Sequence, residues 1–382
     1  MNIPEGFLFS AISCGIRRKD RLDLGFILCQ DKATSAGVFT KNTVKAVPVI
    51  IGKRHIKERF ARAIIVNSGV ANACTGSEGF LGAEKILAEL SNLLRIKKEE
   101  ILPASTGVIG EPLPVEKIIP KLPDLIQGLS PENYTDFARA IMTTDTFPKV
   151  VLKQTKNDIV ILGIAKGAGM IAPNMATMLG FVLTDGRIEK EDLQKLLNKA
   201  VDESFNKITV DGDMSTNDTV YALASNRKEI KDWKEFETYF TEVCRELARM
   251  IVRDGEGASK VIKVIVKGAK TKREAEILAR AVAESPLVKT AFYGADLNWG
   301  RIYSALGKTQ IPFDPEEIEI YLNNIPWVRN FKVEAEEEVL RKEMAKEDVE
   351  ILIKLKRGKQ SSWIMTCDLT EEYIKINASY RS

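Results

Sequence analysis

The sequence predicts a mixed α/β fold with large sheets arranged in layers, and three observations carry that expectation. Short apolar runs alternate with helical patterns along the whole chain. Hydrophobic residues make up 45% of the 382 positions and charged residues 29%, enough apolar material for a substantial core. No internal repeat or low-complexity linker interrupts the chain. At roughly 150 residues per domain, its length suits two compact units or one large layered domain.

The elements follow from local pattern. Residues 47–51 and 63–66 read as buried strands, because short apolar runs bounded by turn residues suit a strand covered on both faces. Leu87, Leu90, Leu93 and Leu94 fall at helical spacing and predict an amphipathic helix over 80–95. Pro112, Pro114, Pro120, Pro123 and Pro131 confine the next stretch to loop or short helix, since proline fixes φ and removes a donor. Strands are expected at 158–162, 178–183 and 261–266, and helices at 191–207, 228–253 and 273–283. The last third turns toward β, with strands expected at 318–322, 350–355, 362–367 and 373–377.

Charge and composition narrow the function. Lysine plus arginine (56) against aspartate plus glutamate (53) leaves only +3, which is no footprint for nucleic acid or an anionic membrane. Cys14, Cys29, Cys74, Cys244 and Cys367 are odd in number and contain no C-x-x-C pair, so neither a zinc ribbon nor a disulfide framework is expected. The first residues lack the pattern of a signal peptide, and no apolar run approaches the ~18 residues of a membrane span. A cytoplasmic protein is the expectation. There is one histidine, His55, set among Lys53, Arg54, Lys57, Glu58 and Arg59, which reads as a solvated surface. A histidine triad would have to use it, and a multi-imidazole zinc site is excluded. Acid–base chemistry is expected from carboxylates, lysine or a backbone amine.

Two lookalike motifs fail. Leu306-Gly307-Lys308-Thr309 ends like a phosphate loop, but Ile302 stands where its first glycine belongs. Residues 211–217 imitate a calcium loop, yet the sixth position is Thr216 and the twelfth Ala222.

The densest unusual stretch is 166–179: Lys166-Gly167-Ala168-Gly169-Met170-Ile171-Ala172-Pro173-Asn174-Met175-Ala176-Thr177-Met178-Leu179. By spacing alone the first reading is a glycine-rich turn between two core strands. A sharper reading starts from Thr177 at the head of a buried strand. Cleavage of the 176–177 bond would give Thr177 a hydroxyl and a free α-amine, whose pKa of ~7.7–8.0 suits a general base near neutrality. A threonine activated by its own amine needs no histidine.

This stretch closely resembles the autocleavage motif of the glutamate N-acetyltransferase family, also called ornithine acetyltransferase. The resemblance runs through the chain in order: 36–40, 66–73 (Val66-Asn67-Ser68-Gly69-Val70-Ala71-Asn72-Ala73), 103–110, 142–146, 211–218, 254–258, 298–301 and 376–380. Departures are few: Ala168 for a common serine, Leu297 for a proline, Ser259 for a threonine, and Ser382 for a terminal threonine. The resemblance implies a layered α-β-β-α arrangement of the N-terminal-nucleophile type with a smaller C-terminal α/β lobe. It implies self-cleavage between Ala176 and Thr177 into an α chain (1–176) and a β chain (177–382) that remain associated, usually as α2β2. Thr177 would take acetyl from N-acetylornithine and pass it to glutamate in a ping-pong reaction, with no metal or bound cofactor. Acetyl-CoA is a further donor in the bifunctional form.

The family's oxyanion residues map onto the Thr106 hydroxyl and the Gly107 N–H, which by sequence alone also read as a turn. Lys166 suits a substrate carboxylate, or is an exposed lysine. Glu256 suits the side-chain ammonium of ornithine, or is part of a polar turn. Thr143 or its neighbour Thr144 corresponds to a binding threonine, or caps a helix. Asn377 and Ser382 match binding positions, or belong to a frayed tail. The alternative is an N-terminal-nucleophile aminopeptidase or amidohydrolase that resolves acyl-threonine with water.

Overall fold

The computed structural model describes residues 3–17, 20–172 and 178–379. The chain divides into two compact units, Met1–Asn206 with Asp213–Ile251, and Lys207–Gly212 with Val252–Ser382.

Strands of the first unit are β1 (Phe7–Ile12), β2 (Leu24–Phe39), β3 (Phe60–Val70), β4 (Ile101–Val108), β5 (Lys149–Gln154), β6 (Val160–Lys166), β7 (Leu179–Gly186) and β8 (Thr219–Lys228). They hydrogen-bond in the order β4-β3-β2-β8-β7-β6-β5, with β1 on β2. The helices are α1 (Val47–His55), α2 (Gly76–Leu94), α3 (Val115–Ile118), α4 (Leu122–Gln127), α5 (Tyr134–Ala140), α6 (Lys190–Asp202) and α7 (Trp233–Arg253).

The long strand β2 serves both halves of this sheet. Its residues 24–28 pair with β3, the register breaks between Leu28 and Ala33, and residues 34–39 pair with β8. Such irregularities bend and twist a strand. Alternation along β3 then sorts the layers. Ile64 and Val66 share an inner core with Phe9, Leu162, Ile164, Phe181 and Leu183, while Ala63 and Ile65 pack outward on Ile86, Leu87 and Leu90 of α2. On the far side, a Cβ on Gly163 would lie 2.3 Å from Val243, so α7 rests directly on β6. Helix, one half of the sheet, its other half and helix follow one another, as in the layered arrangement that the resemblance implies.

In the second unit the strands are β9 (Val261–Ala269), β10 (Glu319–Leu322), β11 (Ile325–Arg329), β12 (Lys332–Val333), β13 (Asp348–Lys354) and β14 (Gln360–Cys367), in the order β12-β11-β10-β13-β9-β14. Helices α8 (Lys272–Ala283), α9 (Pro286–Tyr293), α10 (Trp299–Gly307), α11 (Glu337–Met344) and α12 (Glu371–Ala378) accompany it. Val264, Val266, Leu278, Val282, Ile351 and Ile353 share its core, which makes it the smaller α/β lobe expected.

Three expectations are corrected. Residues 47–51 begin helix α1 and are not a strand. Pro48 lies in its first turn, where a missing N–H costs nothing, and Val47, Val49 and Ile51 are buried. A short, wholly apolar run does not distinguish the two states. Residues 373–377 are also helical, lying within α12, whose first turn carries Glu371 and Glu372 where the helix dipole favours anions. His55 is not a surface residue: α1 turns it inward to 2% exposure, and its Nδ1 lies 2.8 Å from the Ile101 carbonyl, to which it donates. Burial pushes its imidazole pKa below the ordinary value, against the hydrogen bond to Ile101.

A folded-state pKa below the unfolded one means that stability is complete above the unfolded value of ~6.5 and is lost as pH falls through the folded value. Replacing His55 by alanine should cost about 1–3 kcal/mol in denaturant unfolding near neutral pH and flatten that acid dependence. Turnover should persist, because Ile101 is separated from Thr106 by five strand rises, about 16 Å. A loss of roughly a hundredfold, the scale of a missing general base, would contradict this.

Candidate active site

The site is built where the strands of the first unit end. Thr106 and Gly107 stand at the end of β4, where its parallel ladder with β3 becomes irregular: Val70 pairs with both Thr106 and Val108. Gly107 has φ +131°, and a Cβ there would lie 2.2 Å from the Gly69 carbonyl carbon. Only glycine fits so close an approach. Thr106 is buried beside it.

Lys166 ends β6 and is 3% exposed, so the exposed-lysine reading fails. Its Nζ donates to Thr106 Oγ1 at 3.0 Å and to Thr143 Oγ1 at 2.9 Å. Thr143 is therefore the threonine that the fold brings to Lys166. A hydroxyl that accepts from an ammonium keeps its own proton to donate, and is polarised to donate more strongly. A hydroxyl held in this way is able to donate to a negatively charged oxygen.

Ala176 and Thr177 lie outside the described residues, as does Ser382. On either side of the pair, Lys166 of β6 faces Leu179 of β7 in an antiparallel ladder. The Met178 N–H donates to Asp218 Oδ1 at 3.1 Å. Asp218 is fully buried, and its Oδ2 has no partner among the described residues. Burial pushes its carboxyl well above the usual carboxylate range, opposed by the Met178 N–H, the Thr40 hydroxyl and the Lys166 ammonium. Its neighbour Asn217 donates from Nδ2 to the Ala71 carbonyl at 2.7 Å and to the Ser105 carbonyl at 2.9 Å. Asn217 and Asp218 thus brace the strand that carries Thr106 and the amide that follows Thr177.

Asp145 is a further group given no role in the sequence reading. It accepts from the Thr143 N–H, the Gly167 N–H and the Lys149 ammonium. Burial opposes its ionisation, but the charges of Lys166 and Lys149 and these hydrogen bonds hold its pKa at about 2. The only sequence signal for Asp145, Asn217 and Asp218 was their place inside the motif blocks 142–146 and 211–218.

In the second unit Glu256 is buried, and its Oε2 accepts from Asn377 Nδ2 at 2.7 Å. Gly257 has φ +70°, and a Cβ there would lie 2.7 Å from the Tyr373 nitrogen. Two of the proposed binding positions therefore meet, and Asn377 lies on α12 rather than in a frayed tail. Among the described residues no cluster of three or more His, Cys, Asp or Glu could hold a metal ion, and no helix is long and apolar enough to cross a membrane.

Comparison with known proteins identifies the family. The sequence model of the ArgJ family matches residues 8–382. The chain is 45% identical over 390 residues to an arginine biosynthesis bifunctional protein ArgJ of Desulfotalea psychrophila, covering 99% of each. It is 43% identical over 400 residues to the protein of that name in Thermotoga neapolitana, covering 100% of each. A crystal structure of arginine biosynthesis bifunctional protein ArgJ from Bacillus halodurans superposes with a TM-score of 0.50 at 39% identity, covering 52% of this chain and 98% of that one. Motifs, fold and full-length relatives converge, and the chain belongs to the ArgJ family.

Proposed function

We propose that this chain is an arginine-biosynthesis acyltransferase that cleaves itself between Ala176 and Thr177 and then moves acetyl from N-acetylornithine to glutamate on Thr177. The observation that carries the reading is the buried Lys166 ammonium joining the hydroxyls of Thr106 and Thr143 at the strand ends beside β7. The length of the solved Bacillus halodurans chain supports cleavage, since it spans about half of a sequence whose relatives match over their full length.

In the first stage the Thr177 hydroxyl attacks the Ala176 carbonyl, an N→O acyl shift. Water then hydrolyses the ester, leaving a carboxylate on Ala176 and an amine on Thr177. In each turnover that amine takes the hydroxyl proton as the oxygen attacks the acetyl carbonyl. The Thr106 hydroxyl and Gly107 N–H stabilise the tetrahedral oxyanion. The proton passes to the departing amine, ornithine leaves, and glutamate's amine reverses the sequence on acetyl-Thr177. Lys166 and Thr143 receive the substrate carboxylate. The resemblance assigns Glu256, Asn377 and Ser382 to substrate as well. No bound cofactor is required; acetyl-CoA acts as a second donor, in keeping with the word bifunctional in the relatives' names. The α chain (1–176) and β chain (177–382) stay together because β7 and β8 lie between β2 and β6 in one hydrogen-bonded sheet. An α2β2 assembly in the cytoplasm completes the reading.

Intact-mass measurement should give fragments 1–176 and 177–382, and Thr177→Ala should stay a single inactive chain. Active wild-type protein that is uncleaved would refute the cleavage. Ornithine release should depend on added glutamate; release with water alone would favour a hydrolase. Thr106→Val, made by co-expressing the two chains separately, should lower kcat by about 10²–10³-fold with little change in KM.

A further inference from the structure

The two segments that carry Thr143 and Lys166 meet on one carboxylate. Asp145 Oδ2 accepts the Thr143 N–H at 3.0 Å, and its Oδ1 accepts the Gly167 N–H and the Lys149 ammonium, each at 2.7 Å. The side chains of Asp145 and Lys149 are both completely buried. Arg21 grips the other side of Thr143, donating to its carbonyl at 2.9 Å.

For stability alone, a buried ion pair is a poor choice. Desolvation costs several kcal/mol per ion, and apolar residues of similar volume do as well or better. A carboxylate does what an apolar side chain cannot: it offers acceptors to two backbone amides at once. The Gly167 N–H belongs to the peptide that leaves Lys166, so its bond fixes the backbone from which the Lys166 side chain projects. The Thr143 N–H fixes the residue whose hydroxyl receives that side chain. Gly167 itself has φ +153°, toward the edge of the range that favours glycine. An amide at 145 would serve one of the two N–H groups and turn a donor toward the other.

We infer that Asp145 is the positioning residue of the substrate-carboxylate site, setting the separation of Lys166 Nζ from Thr143 Oγ1 and Thr106 Oγ1, with Lys149 as its charge partner. This rests on the assignment of Lys166 and Thr143 to the substrate carboxylate. The charged groups facing Asp145 are Lys149 and Lys166, which keep it ionised wherever the enzyme works.

The test compares full-length wild type, Asp145→Asn, Asp145→Asn/Lys149→Met and Lys166→Met on two donors, N-acetylornithine and its α-carboxamide. Asp145→Asn alone removes the carboxylate that faces the buried Lys149 charge; the double variant removes both charges and should recover most of the wild-type Tm. In that folded double variant the preference for the carboxylate donor, as the ratio of kcat/KM values, should fall at least fivefold. An unchanged preference, or an equal loss on both donors, overturns the positioning role, because a merely structural residue would affect the two alike. Lys166→Met separates the premise: if it keeps the wild-type preference, the carboxylate assignment fails and takes the inference with it.

Discussion

An ammonium buried at the end of a sheet strand persists only where oxygens surround it, and Lys166 meets that condition with hydroxyls from two different segments. Thr106 comes from the end of β4, near one side of the sheet, and Thr143 from the loop before β5, at the other. The bend in β2 is therefore a precondition of the site. Without the sheet folding over one shared core, the ends of β4 and β6 would not converge on a single cation.

Around that cation the polar groups divide the work. Asn217 and Asp218 hold the carbonyl before Thr106 and the amide after Thr177, while Asp145 holds the amide after Lys166 and the amide of Thr143. These groups are almost all buried, where hydrogen bonds are strong and an unmade one is expensive. In the proposed reaction their cost is repaid in geometry, since oxyanion stabilisation depends on donors fixed before charge develops. The proposed chemistry needs no imidazole, and the one histidine is used to tie α1 to the far end of β4.

Much of the fold was legible. Short apolar runs and leucine spacing revealed β3, α2 and most of the second unit's sheet, because local pattern and burial coincide there. Strand β4 was missed because Pro103 and three small residues resemble a turn; as an edge strand it tolerates proline. The runs at 47–51 and 373–377 gave no usable period, and their state was decided by what packs on them. His55 misled because charge in the neighbouring sequence predicted exposure, while the helix carrying it turns inward.

The sequence by itself determined the family and the layered class and offered candidate groups for chemistry, since these depend on residue types at fixed separations. Only the tertiary structure decided which of those groups meet. It chose Thr143 over Thr144 as the partner of Lys166, paired Glu256 with Asn377, and gave Asp145, Asn217 and Asp218 their places. The physical reason is range. Propensity and periodicity act over a few residues, whereas the Thr106–Lys166 contact joins positions sixty apart, through a core that exists only once the sheet has closed.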